Sequence, residues 1–316
     1  MAMELVRGLH NLRAEHRGCA VTIGNFDGVH LGHQATLERL RGHAREIGLP
    51  ATVLTFEPTP REFLSPARAP ARLTRLREKL VLLKRERVDR CVVLHFNAQL
   101  QHLRGQDFVT VLLKQQLDAR RIVVGHDFRF GFRGEADVEM LRAAASAQAF
   151  EVDVVEPLML EGERVSSSAV RESLAAGDLE RAARLLGRRY SMQGRVIQGD
   201  RLGQKLGFPT ANIRLHRRLA PLAGIFAVRV LGVSDQPMPG VASLGTRPTV
   251  NGTEPLLEAH VFDFHGDLYR RHLEVEFVEK LREERKFATL EAMVIQMHDD
   301  VKDARDILNA RSSRRD

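Results

Sequence analysis

The chain has 316 residues, a formal net charge of +7 and 43% hydrophobic residues, which is length for two domains and ample apolar content for their cores. No apolar run approaches a membrane span, the N-terminus lacks the basic and apolar regions of a secretory signal, and two cysteines make no disulfide framework, so a cytoplasmic location without a membrane partner is expected. The positive balance asks for anionic partners, but with no Trp, two Tyr and scattered phenylalanines the aromatic interleaving of a single-strand binder is missing, so polyphosphate ligands are expected and nucleic acid is not.

In chain order, an apolar run over 20–23 reads as a buried strand, followed by Gly24-Asn25-Phe26-Asp27-Gly28-Val29-His30-Leu31-Gly32-His33. Gly24 and Gly28 punctuate a turn, and Leu31, Ala35, Leu37 and Leu40 then recur at helical spacing. Two histidines therefore stand where a strand hands over to a helix, a place whose unpaired N–H groups and positive dipole end favour an anion, phosphate above all. Gly32 lets a ligand approach the backbone between the imidazoles, which both donate hydrogen bonds when charged. A zinc pair or a structural turn is the bland alternative; zinc asks for further ligands at short spacing, and Cys19 and Cys91 stand far apart.

Further strands are expected over 51–56, 91–94, 122–125 and 152–155, with helices over 73–87, 108–117 and 138–150 between them. This alternation predicts a mostly parallel, Rossmann-like sheet with helices on both faces, binding ligands beyond the carboxyl ends of its strands. The segment Gly125 to Asp137 interleaves glycines with Arg and Phe: Phe128, Phe130 or Phe132 could lie against an aromatic ring and Arg129 or Arg133 could meet a phosphate, with at least one phenylalanine kept as a core anchor. At Ser166-Ser167-Ser168-Ala169-Val170-Arg171 a helix opens with Arg171 in its first turn. A cation there opposes the dipole, which makes sense if a phosphate sits between them.

A last short helix is expected over 179–186, and composition then changes. Strands over 192–197, 225–231, 240–244, 256–262 and 273–278, separated by Gly/Pro turns, predict an antiparallel barrel, covered in part by an amphipathic helix over 290–308. The basic run over 311–315 reads as a frayed tail. The domains expected are 1–186 and 187–316. Within the second, Gly199, Gly203 and Gly207 permit a tight loop whose backbone approaches phosphates, and Thr210 and Asn212 offer hard oxygens two residues apart, suited to Mg²⁺. A plain Gly/Pro turn is the alternative.

These strings carry a resemblance. His30-Leu31-Gly32-His33 resembles the HxGH motif of α/β nucleotidyltransferases, and the longer Gly24 to His30 string resembles one family among them, the prokaryotic bifunctional riboflavin kinase/FAD synthetases. Gly125-His126-Asp127-Phe128-Arg129-Phe130-Gly131 is similar to that family's GxDFRFG segment, with Ala136 where a glycine is usual, and Ser167-Ser168 with Arg171 resembles its SSTxxR motif. The string from Gly199 to Asn212 is nearly identical to the riboflavin kinase motif ending in PTAN. Gly224-Ile225-Phe226-Ala227, Gly240-Val241-Ala242-Ser243-Leu244-Gly245, the strand around Glu258 and Arg282-Glu283-Glu284-Arg285-Lys286-Phe287 follow in the family's order, with Phe226 for Tyr and Ser243 for Asn.

The resemblance implies an α/β nucleotidyltransferase domain plus a β-barrel riboflavin kinase domain, using ATP with Mg²⁺ to make FMN from riboflavin and FAD from FMN. It implies Glu258, His30, His33 and Arg171 as catalytic. Gly24, Asn25, Phe26, Asp27, Gly32, Ser167, Ser168, Gly199, Gly203, Lys205, Gly207 and Pro209 would bind ATP, Asp127, Phe128, Arg129, Arg282 and Glu284 would bind flavin, and Thr210 and Asn212 would hold the metal. The expected partners are these small molecules, in a monomer or weak homo-oligomer.

Overall fold

The computed structural model describes residues 3–199, 203, 206–249 and 252–312. The chain divides into two compact units, Met1–Pro70 with Leu76–Ser166, and Ala71–Arg75 with Ser167–Asp316.

The first unit is built on a six-stranded sheet of β1 (Glu4–Arg7), β2 (Cys19–Ile23), β3 (Ala51–Phe56), β4 (Arg90–Leu94), β5 (Ala119–Gly125) and β6 (Glu151–Val155), in the order β1-β4-β3-β2-β5-β6. All pairs are parallel. Alternate residues of each strand feed two separate cores. Val21, Ile23, Leu54, Val92 and Ile122 pack with Leu112 and Leu113, whereas Ala20, Val53, Cys91 and Val123 pack with Leu37, Leu40 and Leu83. A sheet covered on both faces wants the near-continuous apolar strands that the sequence shows. The segment expected to be α-helical from Phe108 is wound instead as a π-helix, Phe108–Gln116. A two-stranded hairpin, β7 (Met159–Leu160) with β8 (Glu163–Arg164), completes the unit.

The second unit is a closed antiparallel barrel of β9 (Ser191–Ile197), β10 (Ala211–Arg214), β11 (Gly224–Leu231), β12 (Met238–Thr249), β13 (Gly252–Val261) and β14 (His272–Arg282), in the order β10-β13-β12-β11-β14-β9. The short β10 closes it by pairing with both β9 and β13. The helix Leu290–Ser312 lies on the outer wall, where Ala304 and Leu308 meet Ala227, Phe262 and Val278.

The helix expected over 73–87 is confined to Leu76–Arg85, because the residues before it belong to the second unit as a strap. Its carbonyls are taken up one after another: Ala71 accepts from Arg171 Nε (2.6 Å), Arg72 from Arg217 (2.6 Å) and Leu73 from the Tyr190 hydroxyl (3.0 Å).

Candidate functional site

In the first unit the strand β2 ends at Ile23, and the helix Leu31–Glu46 starts with His30 as its cap, the His30 Nδ1 accepting from the His33 N–H at 3.3 Å. The two imidazoles stack with centroids 3.7 Å apart, and the Phe26 ring stands 5.0 Å from His33. The intervening turn is strained: Phe26 and Val29 hold φ of 47° and 43°, a left-handed conformation that costs a β-branched residue most and that clusters at ligand sites. Gly32 keeps this corner open, since a Cβ would sit 3.2 Å from His30 Nδ1 and 3.4 Å from the Val165 carbonyl. Asp27 is buried and Asn25 exposed.

His33 Nδ1 is buried without a hydrogen-bond partner among the described residues. Burial, then the charges of His30 and Lys79, hold the His33 pKa well below its ordinary value, so this ring is neutral at pH 7. Lys79 was not foreseen. It is almost fully buried, with Nζ donating to Thr55 Oγ1 at 3.4 Å, although its sequence position is that of an ordinary charged helix residue.

The loop after β5 places Asp127 against Arg164 of β8 at 2.6 Å. Burial raises the Asp127 pKa and the Arg164 hydrogen bond and charge override it, leaving a net lowering. Phe128 stacks on Phe130 at 5.4 Å, and Phe130 is the buried member that anchors the loop in the core. Arg129 reaches Asp137, the N-cap of the helix Val138–Gln148, at 3.4 Å. Ser167 and Ser168 start the helix Ser167–Ala175 in the second unit, which carries Arg171.

In the barrel, hydrogen-bonded registry does what sequence spacing cannot. Asn212 of β10 stands opposite Glu258 of β13, which stands opposite Ser243 of β12, which stands opposite Ile225 of β11, itself opposite Arg282 of β14. Leu257 and Ala259 point into the barrel and are buried, so Glu258 faces outward with Leu256 and His260, as strand alternation demands. This outward face is covered. A cavity of about 710 Å³ lies between it and the helix Leu290–Ser312, with Thr210, Asn212, Ser243, Glu258, Arg282 and Glu284 among its polar walls. Glu284 accepts from the Ser243 hydroxyl at 3.3 Å.

A second cavity of about 350 Å³ is lined by Gly199, Pro209, Thr210, Asn212, His265 and Tyr269 among others. Thr210 and Asn212 thus line both. Asn212 is buried, its carboxamide occupying the space a Cβ at Gly199 would need. Gly203 lines the larger cavity, Gly207 has φ 86°, and Pro209 accepts from His260 Nδ1 at 2.9 Å; Lys205 lies outside the described residues. Asp300, missed in the sequence because a lone acid on a charged helix gives no signal, reaches into the larger cavity beside Arg282.

An anion-ready helix start in one unit, and hard oxygens beside a carboxylate in the other, are what nucleotidyl and phosphoryl transfer require, and they place the chain among nucleotide-using transferases of two modules. The comparisons with known proteins narrow this. A family model for FAD synthetase matches residues 12–169 and one for riboflavin kinase matches residues 186–308. The chain is 50% identical over 304 residues to the bifunctional riboflavin kinase/FMN adenylyltransferase of Pseudomonas fluorescens, covering 96% of this chain and 97% of that one. It is 44% identical over 308 residues to the protein of the same name from Haemophilus influenzae, covering 98% and 100%. Among solved structures, one titled a macrolide-efflux protein from Streptococcus pneumoniae superposes with a TM-score of 0.78 at 29% identity, covering 95% of this chain and 97% of that one. The chain belongs to the bifunctional riboflavin kinase/FMN adenylyltransferase family.

Proposed function

We propose that the two reactions of this bifunctional riboflavin kinase/FMN adenylyltransferase divide between the domains 1–186 and 187–316, a division in keeping with the two family matches. The barrel domain transfers the γ-phosphoryl group of ATP to riboflavin, giving FMN and ADP. The parallel-sheet domain transfers the adenylyl group of a second ATP to FMN, giving FAD and pyrophosphate.

The observation that carries the kinase half is the row Asn212–Glu258–Ser243 at the mouth of the larger cavity. The cavity receives riboflavin, with Glu284 and Arg282 at its polar end, and the smaller cavity receives ATP beside Gly199 and Pro209; the family resemblance assigns Gly203, Lys205 and Gly207 to ATP as well. Glu258 accepts the proton of the riboflavin 5′-hydroxyl as that oxygen attacks the γ-phosphorus and ADP leaves. Thr210 and Asn212 offer neutral oxygens next to a carboxylate, a donor set that fits Mg²⁺. Such an ion, when bound, neutralises phosphate charge.

In the other half, the ATP phosphates lie at the start of the helix Leu31–Glu46, held by the Gly24, Asn25, Phe26, Asp27 and Gly32 turn. The strained turn through Phe26 and Val29 supports this, since left-handed backbone at non-glycine residues clusters at ligand sites. His30 caps the same helix. Asp127, Phe128 and Arg129 orient FMN, whose phosphate oxygen attacks the α-phosphorus of ATP as pyrophosphate leaves; the role in pyrophosphate departure that the family resemblance gives to Ser167, Ser168 and Arg171 rests on their motif alone. No covalent enzyme intermediate is needed, so positioning and charge carry the rate.

The chain works in the cytoplasm as a monomer or weak homo-oligomer, without nucleic acid or membrane; no helix among the described residues is long and apolar enough to cross a bilayer. Incubation with riboflavin, ATP and Mg²⁺ followed by chromatography of FMN and FAD tests the division. His33→Ala is expected to accumulate FMN, and Glu258→Gln to stop use of riboflavin while supplied FMN still becomes FAD. Equal loss of both steps in either folded variant contradicts the two-site assignment.

A further inference from the structure

Arg282 stands at the end of β14 and on the wall of the larger cavity, yet its guanidinium is occupied by the protein itself. Nε and Nη2 donate to the two oxygens of Asp300 at 2.8 and 2.7 Å, and Nη1 donates to the Glu283 carbonyl at 3.0 Å. This is the two-pronged, charge-assisted geometry that fixes orientation as well as distance. Asp300 is buried, and the Gln296 amide braces its Oδ1 at 3.0 Å. A ligand phosphate could recruit Arg282 only by stranding that buried carboxylate, which is strongly unfavourable.

The pair also sits at a particular place along the helix Leu290–Ser312. Beyond it Val301, Ala304, Ile307 and Leu308 are seated in the apolar contact with the barrel wall. Before it the helix keeps Leu290 and Ile295 exposed at 49% and 63%, and turns Met293 and Met297 to the cavity. Met293, Met297, Asp300 and Val301 fall at steps of four, three and one, a single stripe of the helix. Asp300 is therefore where a firmly packed half meets a half whose job is to wall the cavity.

Resting on the assignment of that cavity to riboflavin, we infer that the Arg282–Asp300 pair is a latch that seats the cavity-lining half of the terminal helix, making both residues positioning residues for riboflavin that do not touch the transferred phosphoryl group. Riboflavin affinity then depends on the latch, and the chemical step does not.

The test uses the full chain with Arg282→Gln, Asp300→Asn and the double variant. Each single change should raise the riboflavin KM about tenfold with kcat within about threefold, the signature of lost binding that is uniform between ground and transition states. The ATP KM should be unchanged, Asp300→Glu should recover part of the affinity, and the double variant should be no worse than the worse single one, because both break one interaction. Conversion of supplied FMN to FAD by the same samples reports that the sheet unit is folded, and an unchanged circular dichroism spectrum and urea midpoint report the same of the barrel and its helix. A large loss of kcat in Arg282→Gln alone, additive costs, or single variants within about twofold of the parent would each overturn the latch. Should Asp300→Asn not fold, Gln296→Ala, which removes the brace together with the hydrogen bond that Gln296 Oε1 accepts from Arg285, is expected to raise the riboflavin KM about two- to threefold, and no change there overturns it equally. Glu258→Gln separates the two ideas: if it leaves phosphorylation intact the cavity assignment falls, and if it abolishes phosphorylation while the latch variants are silent, the latch alone falls.

Discussion

On the proposed division the two units handle the same cargo, the oxygens of a nucleoside triphosphate, by different constructions. In the sheet unit the candidate site is one continuous piece of chain: β2 ends, the strained turn through Phe26 and Val29 follows, and the stacked His30 and His33 begin the next helix. On that reading the backbone N–H groups at the helix start supply much of the anion affinity. In the barrel unit the polar atoms come from β10, β12, β13 and β14 and meet only because strand registry aligns Asn212, Glu258 and Ser243. A contiguous site is robust to small shifts of neighbouring elements, whereas a registered one fails as a whole if a strand slips.

The sharpest way to break this comparison is Glu258→Gln, which removes the proposed proton acceptor of the barrel reaction. Riboflavin phosphorylation should fall by roughly 10²- to 10⁴-fold, measured as FMN formed, with FAD synthesis from supplied FMN unchanged. Next in size, His33→Ala should lower FAD synthesis about 100-fold or more while FMN accumulates; retained FAD synthesis would show that the backbone alone suffices at the helix start.

Two smaller effects concern charge. His33 is held neutral by burial first, then by His30 and Lys79, below an ordinary value of 6.5. The unfolded chain takes up a proton that the folded site resists, so the associated stability is present above pH 6.5 and is lost as pH falls beneath it. The unfolding free energy from urea titrations should drop by about 1 kcal/mol between pH 7.5 and 5.5, and His33→Asn should remove that part of the slope. Asp153 is the scaffold counterpart, pushed down to about 2 by its hydrogen bond to Arg39 and by His43. Its contribution is present above the ordinary carboxylate range and is lost as pH falls toward 2. Since Arg39 is more than half exposed, Asp153→Asn should cost only about 1 kcal/mol in thermal or urea unfolding at pH 7 and leave both reaction rates alone.

What could be read from the sequence follows the same contrast. Local strings announce local structure: the helix over 179–186 is found as Leu179–Leu186, and the HxGH turn lies where Gly24, Gly28 and the spacing of Leu37 and Leu40 put it. Long-range facts were hidden. The strand Glu4–Arg7 has one buried residue and pairs with a partner starting at Arg90, so its pattern is too short to stand out. β10 has four residues and gains its identity only from two neighbours. Lys79 and Asp300 are charges set on the apolar stripes of their helices, beside Leu76, Leu80 and Leu83 and beside Met297 and Val301, and only tertiary packing shows that they stay enclosed. Glu258 shows the converse, since its outward direction follows from alternation but the helix that roofs it does not.

The strap over residues 71–75 bears on how such a chain comes into being. Leu73 leaves the ribosome 117 residues ahead of Tyr190, and Arg72 leaves 145 residues ahead of Arg217. At translation speeds of about 5–20 residues per second, its carbonyls spend on the order of ten seconds bonded to water before their permanent donors emerge. The strap is therefore among the first parts of its unit to be made and among the last to be fixed.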